Sequence, residues 1–273
     1  MQVRFGLKIY NMKLSLLLTG FLISASLLAQ KKEGIVIYER KQNMHRNMGE
    51  EMRAMIPEFR VNKQMLIFVD QQSLFKALPE EEAPDPFNNR GGMTIKVGGQ
   101  KAETYLHFGE NRKITASDVF GEAFLITDTI KKHDWTLVDE TKIIAGFVCK
   151  KATTTTKTFR QAMRIVTSGK SSDPASTPAP KPEETEVEAW YAIDLPSPAG
   201  PDTYTGLPGV IMKLDIDNGG IVFSALEFRA VSDISQLRAP KKGRKVTPEE
   251  YNNEVKKIME NMGSGPIQIR SGN

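Results

Sequence analysis

The sequence predicts a mainly β protein with a few helices, built on one strongly curved antiparallel sheet that forms an open half-barrel. Two observations predict this class. Short runs in which apolar and polar residues alternate recur along most of the chain after residue 33, separated by turns rich in glycine, proline and asparagine. A helical period appears at two places only, after the first strand and near the C-terminus.

The first 30 residues have the pattern of a signal peptide. Arg4, Lys8 and Lys13 precede the apolar run 14–28, and no acidic residue is present. The run is shorter than the roughly 20 apolar residues of a membrane span, and cleavage is expected near Ala29. Met12 is an alternative start. We therefore expect export to the periplasm or beyond the cell, with no membrane span after cleavage.

The absence of a cysteine directly after this apolar run predicts a mature protein without a lipid anchor. Without residues 1–30 the chain has 34 basic and 33 acidic residues, a net charge of +1. Such a balance gives no support to nucleic-acid binding.

We divide the mature chain into one antiparallel β domain, 31–240, and a C-terminal helix with a frayed tail, 241–273. Two stretches rich in proline and glycine, 79–99 and 169–185, are expected to be mobile loops of the β domain. The predicted strands are 34–39, 65–69, 73–75, 102–108, 124–126, 135–138, 143–152, 159–166, 187–195, 210–216 and 221–226.

A helix is predicted after the first strand, over 44–56, where it would cap the concave face of the sheet and leave an apolar groove. Its signal is a row of methionines at helical spacing, ended by Pro57: Met44, Met48, Met52 and Met55. Methionine fills irregular gaps between a helix and a sheet. Together with His45, however, Met44, Met48 and Met52 are also candidate ligands for copper, because thioethers bind Cu(I).

The strongest local signal is the hairpin around Asn218-Gly219, whose residues suit a type I′ turn. The register that follows sets these pairs on one side of the sheet: Ile216 with Ile221, Leu214 with Phe223, and Met212 with Ala225. Just before it, Leu207-Pro208-Gly209-Val210 predicts a type II turn with a positive φ at Gly209.

Two motifs resemble the family named after the letters GLPGLI. The first comprises Trp190, Gly200, Pro201, Tyr204, Gly206, Leu207, Pro208 and Gly209, with Val210 in place of leucine; the second contains Gly146 and Cys149. The resemblance covers roughly 34–237. It implies an exported protein of the Bacteroidetes group with no established activity, and a structural role for these motif residues.

No catalytic or metal site is predicted, and no cofactor. Cys149 is the single cysteine, and a small buried strand residue explains it better than a nucleophile does. His45, His107 and His133 lack zinc-site spacing, and the chain has no GxSxG, P-loop or GxGxxG motif. Asp202 and the acids of 215–217 could act as an acid–base pair, but turn formation explains them more simply.

Thr247 and Glu250 form a capping box, with Pro248 at the first helical position. This pattern predicts a helix from Pro248 to about residue 262. Its apolar stripe would be Tyr251, Val255, Ile258 and Met262.

The order of strand, helix and long meander is similar to that of the carriers that move lipoproteins across the periplasm. The leading hypothesis is therefore a non-catalytic binding or carrier protein for an apolar ligand or for an exported segment of a cell-envelope partner. A copper-handling protein is the first alternative, and a hydrolase is the second.

Overall fold

The structure is a computed structural model that describes residues 33–47, 50–54, 56–78, 102–119, 121–159, 182–230 and 234–263. These residues form the following strands: β1 Glu33–Asn43, β2 Phe59–Val69, β3 Gln72–Ala77, β4 Glu103–His107, β5 Arg112–Val119, β6 Glu122–Thr129, β7 Thr136–Ile144, β8 Phe147–Phe159, β9 Pro182–Ala192, β10 Val210–Ile216, β11 Ile221–Arg229 and β12 Arg244–Val246. The helices are α1, Glu50–Arg53, and α2, Pro248–Gly263.

All these strands belong to one 12-stranded sheet, in the order β12-β6-β5-β4-β3-β2-β1-β11-β10-β9-β8-β7. Two antiparallel meanders, β1–β6 and β7–β11, meet where β1 pairs with β11. The short β12 adds to β6 in parallel. The sheet is open and mostly antiparallel, which confirms the predicted fold class.

The link between the two meanders requires the sheet to curl. Residues 130–135 alone join β6 to β7, and an extended chain of that length spans roughly 20–25 Å. In a flat sheet, the ten spacings between those strands would measure about 48 Å. The two ends of the sheet must therefore approach each other.

Ring contacts identify the concave face. The rings of Phe75 and Phe223 lie 5.9 Å apart, centroid to centroid, although three strand spacings separate their strands. Tyr38 contacts Phe75 on the same face, at 6.3 Å. The largest buried core lies on this side and includes Val36 and Leu66.

The opposite, convex face has its own apolar cluster. Ile37, Met65, Ile67, Leu74 and Tyr105 are packed there under Leu237, from the segment that follows β11. That segment returns the chain from the middle of the sheet to its β6 edge, where β12 pairs.

The predicted capping box begins α2. The backbone N–H of Thr247 donates to Glu250 Oε2 at 2.7 Å, and the N–H of Glu250 donates to Thr247 Oγ1 at 3.2 Å. Tyr251, Val255 and Ile258 pack against the cluster around Phe124, as the apolar stripe predicted. The side chain of Met262 lies outside the described residues.

The predicted hairpin register is confirmed for Ile216 with Ile221 and for Leu214 with Phe223. Asn218 and Gly219 both have positive φ, and the N–H of Gly220 donates to Asp217 O at 3.1 Å, as a type I′ turn requires.

Several strand predictions were wrong. Strand β5 was missed, because its inward and outward positions carry few large apolar residues. The threonine run 153–156 lies inside the continuous β8 instead of between two strands. Strand β9 starts at Pro182, within the predicted mobile loop, and ends at Ala192, which leaves Ile193 exposed. The rest of that loop and all of 79–99 lie outside the described residues.

The predicted helix over 44–56 is also largely wrong. A 3₁₀ turn, His45–Asn47, and the single turn α1 take its place. Asn43 Oδ1 accepts the N–H of His45 and starts a local turn, and Gly49 disfavours a continuous helix by about 1 kcal/mol relative to alanine.

Among the described residues, no helix has the length and apolar character needed to cross a membrane.

Candidate ligand groove

The residues of the first sequence motif lie mainly in one loop, 193–209, between β9 and β10, which we call the motif loop. The loop has no regular secondary structure, but Leu195, Ala199 and Leu207 are buried in the concave core. The N–H groups of Val210 and Ile211 donate to Leu195 O and Ala199 O at 3.0 and 3.1 Å. The motif loop thus fills one part of the concave face.

Side chains from other elements hold the motif loop in place. The hydroxyl of Tyr38, on β1, donates to Ile211 O at 2.6 Å, just past the end of the loop. Trp135 Nε1 donates to Thr205 O at 2.9 Å, and His133 stacks on Tyr204 at 4.9 Å. His133 and Trp135 both belong to the 130–135 link, so the link between β6 and β7 also anchors the motif loop.

The type II turn predicted for Leu207–Val210 is wrong, because Gly209 does not have a positive φ. Position 209 requires glycine because the backbone of β9 passes close by: a Cβ there would lie 2.0 Å from Ala192 O. Gly200 is similar, since its Cβ would lie 2.3 Å from Tyr204 O. The positive φ, 95°, belongs to Gly206.

The other motif residues have structural contacts as well. Pro201 is buried and its carbonyl accepts the N–H of Tyr204, whereas Pro208 is exposed. Gly146 has a φ of 85° in the β7–β8 turn. Trp190, on β9, donates from Nε1 to Glu188 Oε1 at 2.7 Å, beneath Lys142 and Lys151.

Cys149 is fully buried on β8, and burial raises the pKa of its thiol to about 11. Its thiol contacts Phe147 O at 3.6 Å. Two of the histidines also have contacts that explain them structurally. His133 Nε2 forms a hydrogen bond with Thr203 O at 3.2 Å, and His107 Nε2 lies 3.3 Å from Glu110 Oε1. Burial lowers the pKa of His133, which favours its neutral form.

The copper candidates are only partly described. His45 Nε2 bonds Ile56 O at 2.7 Å. Met48 and the side chain of Met52 lie outside the described residues, so the copper hypothesis stays a prediction. Within the described part of the chain, no group of three or more His, Cys, Asp or Glu residues could hold a metal ion.

Beside the motif loop, the concave face opens into a groove with a cavity of about 320 Å³. Five neighbouring strands, the start of β4 and the motif loop line it. The lining residues are Arg40, Gln42, Arg60, Asn62, Gln64, Phe75, Ala77, Ala102, Thr104, Asp202, Ile216, Ile221 and Phe223. One wall is therefore apolar and aromatic, and the other carries guanidinium and amide groups.

The polar wall is a cluster on two paired strands. Arg40 lies directly across from Asn62, and Gln42 directly across from Arg60. Direct cross-strand partners have Cβ atoms about 4.5–5.5 Å apart, and diagonal neighbours about 7–8 Å, within reach of long side chains. The two arginines are diagonal neighbours, so both guanidinium groups can reach one ligand.

These arginines have no carboxylate partner in direct contact: neither forms an ion pair with any described residue. The guanidinium of Arg40 lies 5.8 Å from the centroid of the Phe223 ring. Burial, and then the charge of Arg60, lowers the pKa of Arg40, while Asp202 opposes that change. Asn62 Oδ1 is buried without a hydrogen-bond partner in the described structure.

Among the described residues of the groove lining, Asp202 carries the one carboxylate. It has a left-handed φ of 55° in the turn closed by Tyr204 N–H and Pro201 O. The side chain of Asp202 is accessible to solvent, but nearby protein atoms partly desolvate its carboxyl group. This desolvation raises the carboxyl pKa, and the positive charges of Arg40 and Lys113 oppose the increase. Asp202 thus combines its turn role with a place in the groove.

The other aspartates weighed as an acid–base pair serve the hairpin turn. Asp215 Oδ1 accepts the N–H of Gly219 at 2.6 Å, and Asp217 forms an ion pair with Arg46. Arg46 also donates to Asn218 O, which places the segment after β1 at the β10–β11 turn. The expectation that this segment caps the concave face was wrong, because Arg46 holds it at the β10–β11 turn and the motif loop packs on part of that face instead.

The expectation of an apolar groove was also wrong, because polar and charged side chains form a large part of its lining. Sequence reasoning ended the first strand at residue 39 and began the second at 65, where the apolar runs stop. Both strands continue, and their inward positions then become polar: Arg40 and Gln42 on β1, and Arg60, Asn62 and Gln64 on β2. The signal that could have predicted this is the position of these residues, which continue the alternation of inward and outward side chains along each strand.

Comparisons with known proteins support the fold but no activity. A family model described as "Protein of unknown function (Porph_ging)" matches residues 135–213, which are 79 of the 273 residues. The match includes the motif loop and β7–β9. The resemblance to the GLPGLI family stays a prediction. A search of curated proteins found no match.

Two solved structures are similar in shape. "Structure of PNGF-II in C2 space group" aligns with a TM-score of 0.50 and 16% identity, over 82% of this chain and 33% of that one. "Structure of PNGF-II in P21 space group" aligns with a TM-score of 0.51 and 14% identity, over 83% and 33%. The chain thus spans about a third of these proteins, and the similarity shows a shared β-rich fold alone.

Proposed function

We propose that the chain is an exported, non-catalytic binding protein that holds a ligand in the concave groove. The observation that carries this proposal is the groove itself: a cavity of about 320 Å³ lined by both aromatic or aliphatic and polar or charged side chains. Ligand sites in proteins are commonly concave and mainly apolar, with a few polar groups that fix orientation.

The size of the cavity favours a small ligand, or a part of an exported partner no larger than a few side chains. Ligand pockets usually measure about 300–1,000 Å³, and this one lies at the lower end. Phe75 and Phe223 supply a ring surface, and the amides of Gln42 and Gln64 supply donors and acceptors. An amphipathic occupant fits this lining better than a wholly apolar one.

The chemistry of the one cysteine supports a binding role over a catalytic one. Nucleophilic cysteines lie in partly exposed, electropositive surroundings that lower the thiol pKa. Cys149 is buried and its pKa is raised to about 11.

The test is native mass spectrometry of the mature protein purified from the cells that produce and export it. The same measurement is made on a variant whose groove is filled. Ala77→Trp places a large side chain on an exposed groove position of β3. Lys63→Trp is the matched control, because Lys63 is exposed on β2 and precedes the inward-facing Gln64. A retained small-molecule or peptide mass that Ala77→Trp removes and Lys63→Trp keeps is the expected result.

Retention of the same mass by Ala77→Trp would contradict a ligand site in this groove. A copper adduct that persists in Ala77→Trp would instead favour the methionine-rich segment as the functional site.

A further inference from the structure

The groove contains two cations without an ion-pair partner among the described residues, and this imbalance indicates the charge of the ligand. Arg40 is half-buried against Phe223, with Arg60 nearby on the adjacent strand. A partly buried charge without a partner is costly, and guanidinium groups bind planar oxyanions by paired hydrogen bonds. An anionic group on the ligand would supply that partner.

The charge count favours a monoanion. Among the described lining residues, two guanidinium groups and the Asp202 carboxylate give a net charge of +1. The other cation that attracts Asp202, Lys113, is already paired with Asp128 at 2.9 Å between Nζ and Oδ2. A dianionic phosphate would leave excess negative charge beside Asp202, whereas one carboxylate balances the groove.

We propose that the ligand is a small amphipathic carboxylate whose acid group binds between Arg40 and Arg60 and whose apolar body lies against Phe75 and Phe223. This inference rests on the proposed binding function and specifies its ligand class. Ile216 and Ile221 extend the apolar wall on the β10–β11 side. Gln42 and Asn62, the cross-strand partners of the two arginines, can hydrogen-bond polar atoms next to the acid group.

Asp202 has a defined part in this scheme. Its carboxylate attracts Arg40 in the free protein and repels the incoming acid. Replacing it with asparagine removes the charge and keeps a residue type that tolerates the left-handed φ of 55°. Asp202→Asn is therefore expected to strengthen carboxylate binding, a gain that a damaged fold would not produce.

The experiment is isothermal titration calorimetry of the exported full chain with two acid–amide pairs: N-acetylphenylalanine with its amide, and octanoate with octanamide. At least one acid is expected to bind ten-fold or more tightly than its amide. Loss of a charge-assisted contact usually weakens binding by roughly 10- to 100-fold, so Arg40→Gln and Arg60→Gln should each reduce acid affinity by such a factor. Lys63→Gln removes a positive charge from an exposed β2 position that does not line the groove, and it should leave the affinity unchanged.

Arg60 is exposed, so its substitution tests the site even if Arg40→Gln does not fold. Equal affinities for acid and amide, or no binding by either acid, would overturn the carboxylate inference. The binding function would still stand if Ala77→Trp removed a natural adduct. Inorganic phosphate that binds as tightly as the acids would overturn the preference for a monoanion.

Discussion

Gly209→Ala distinguishes a close backbone approach from a conformational need for glycine in the motif loop. The added Cβ would lie 2.0 Å from Ala192 O, 2.7 Å from Ala192 C and 3.3 Å from Ile193 N. All three atoms belong to backbone, so no flexible side chain can move aside. The β9–β10 pairing of Ala192 with Val210 must open instead.

The expected cost follows from those displacements. Forcing an additional carbon into a packed interior costs about 1–3 kcal/mol. Disturbing the hydrogen bond from Val210 N to Leu195 O, 3.0 Å long, adds about 1 kcal/mol. We expect Gly209→Ala to lower the free energy of unfolding by about 2–4 kcal/mol.

Gly206 provides the matched control, because it has a φ of 95° and, apart from its chain neighbours, no described atom lies within 4 Å of a Cβ. Gly206→Ala should cost about 1–2 kcal/mol through backbone strain alone. Asparagine tolerates left-handed φ, so Gly206→Asn should be milder than Gly206→Ala. Gly209→Asn should be no milder than Gly209→Ala, because its Cβ meets the same carbonyl.

Urea unfolding followed by tryptophan fluorescence measures all four variants. Trp135 contacts the motif loop and Trp190 lies on β9, so both tryptophans report on this region. The steric argument is refuted if Gly209→Ala unfolds within about 1 kcal/mol of the unsubstituted protein, or if asparagine rescues position 209.

Two further substitutions test the core around the motif loop. Tyr38→Phe removes the hydrogen bond to Ile211 O and leaves that carbonyl buried, so urea unfolding should show a loss of about 1–3 kcal/mol; an unchanged midpoint would contradict this anchoring role. Cys149 should resist alkylation in the native protein at pH 8, where a pKa of about 11 leaves about one thiolate per thousand molecules. Folding raises this pKa above its ordinary 9.0, so the native state favours the protonated thiol. This preference contributes about 2–3 kcal/mol to stability below pH 9, and the contribution is lost as the pH rises through 11. Urea midpoints from pH 8 to 11 should therefore fall less steeply for Cys149→Ala, and equal slopes would contradict the linkage.

The parts of the fold that the sequence predicts are those set by local contacts. Asn218-Gly219 determines its own turn and with it the pairing of Ile216 with Ile221. Thr247 and Glu250 determine the start of α2 through hydrogen bonds across three residues. Each outcome depends on a few neighbouring residues, and no distant part of the chain has to be known.

The mixed lining of the groove depends on distant parts of the chain, and sequence reasoning, which expected an apolar groove, therefore missed it. Arg40 and Asn62 become neighbours only through the pairing of β1 with β2. Phe75 and Phe223 meet only because the sheet curls. That curl follows from the length of the 130–135 link and from the order of the strands, which no local pattern contains.

The motif loop connects the sequence motif with the groove. Gly200 allows the loop to fold tightly against Tyr204 O, and the turn from Pro201 to Tyr204 presents Asp202 towards Arg40. Gly209 fixes the other end of the loop against β9. In the proposed binding scheme, the motif residues need no contact with the ligand to influence its binding, because moving the loop moves the Asp202 carboxylate. A motif substitution should change stability and carboxylate affinity together, whereas Asp202→Asn should change affinity with little effect on stability.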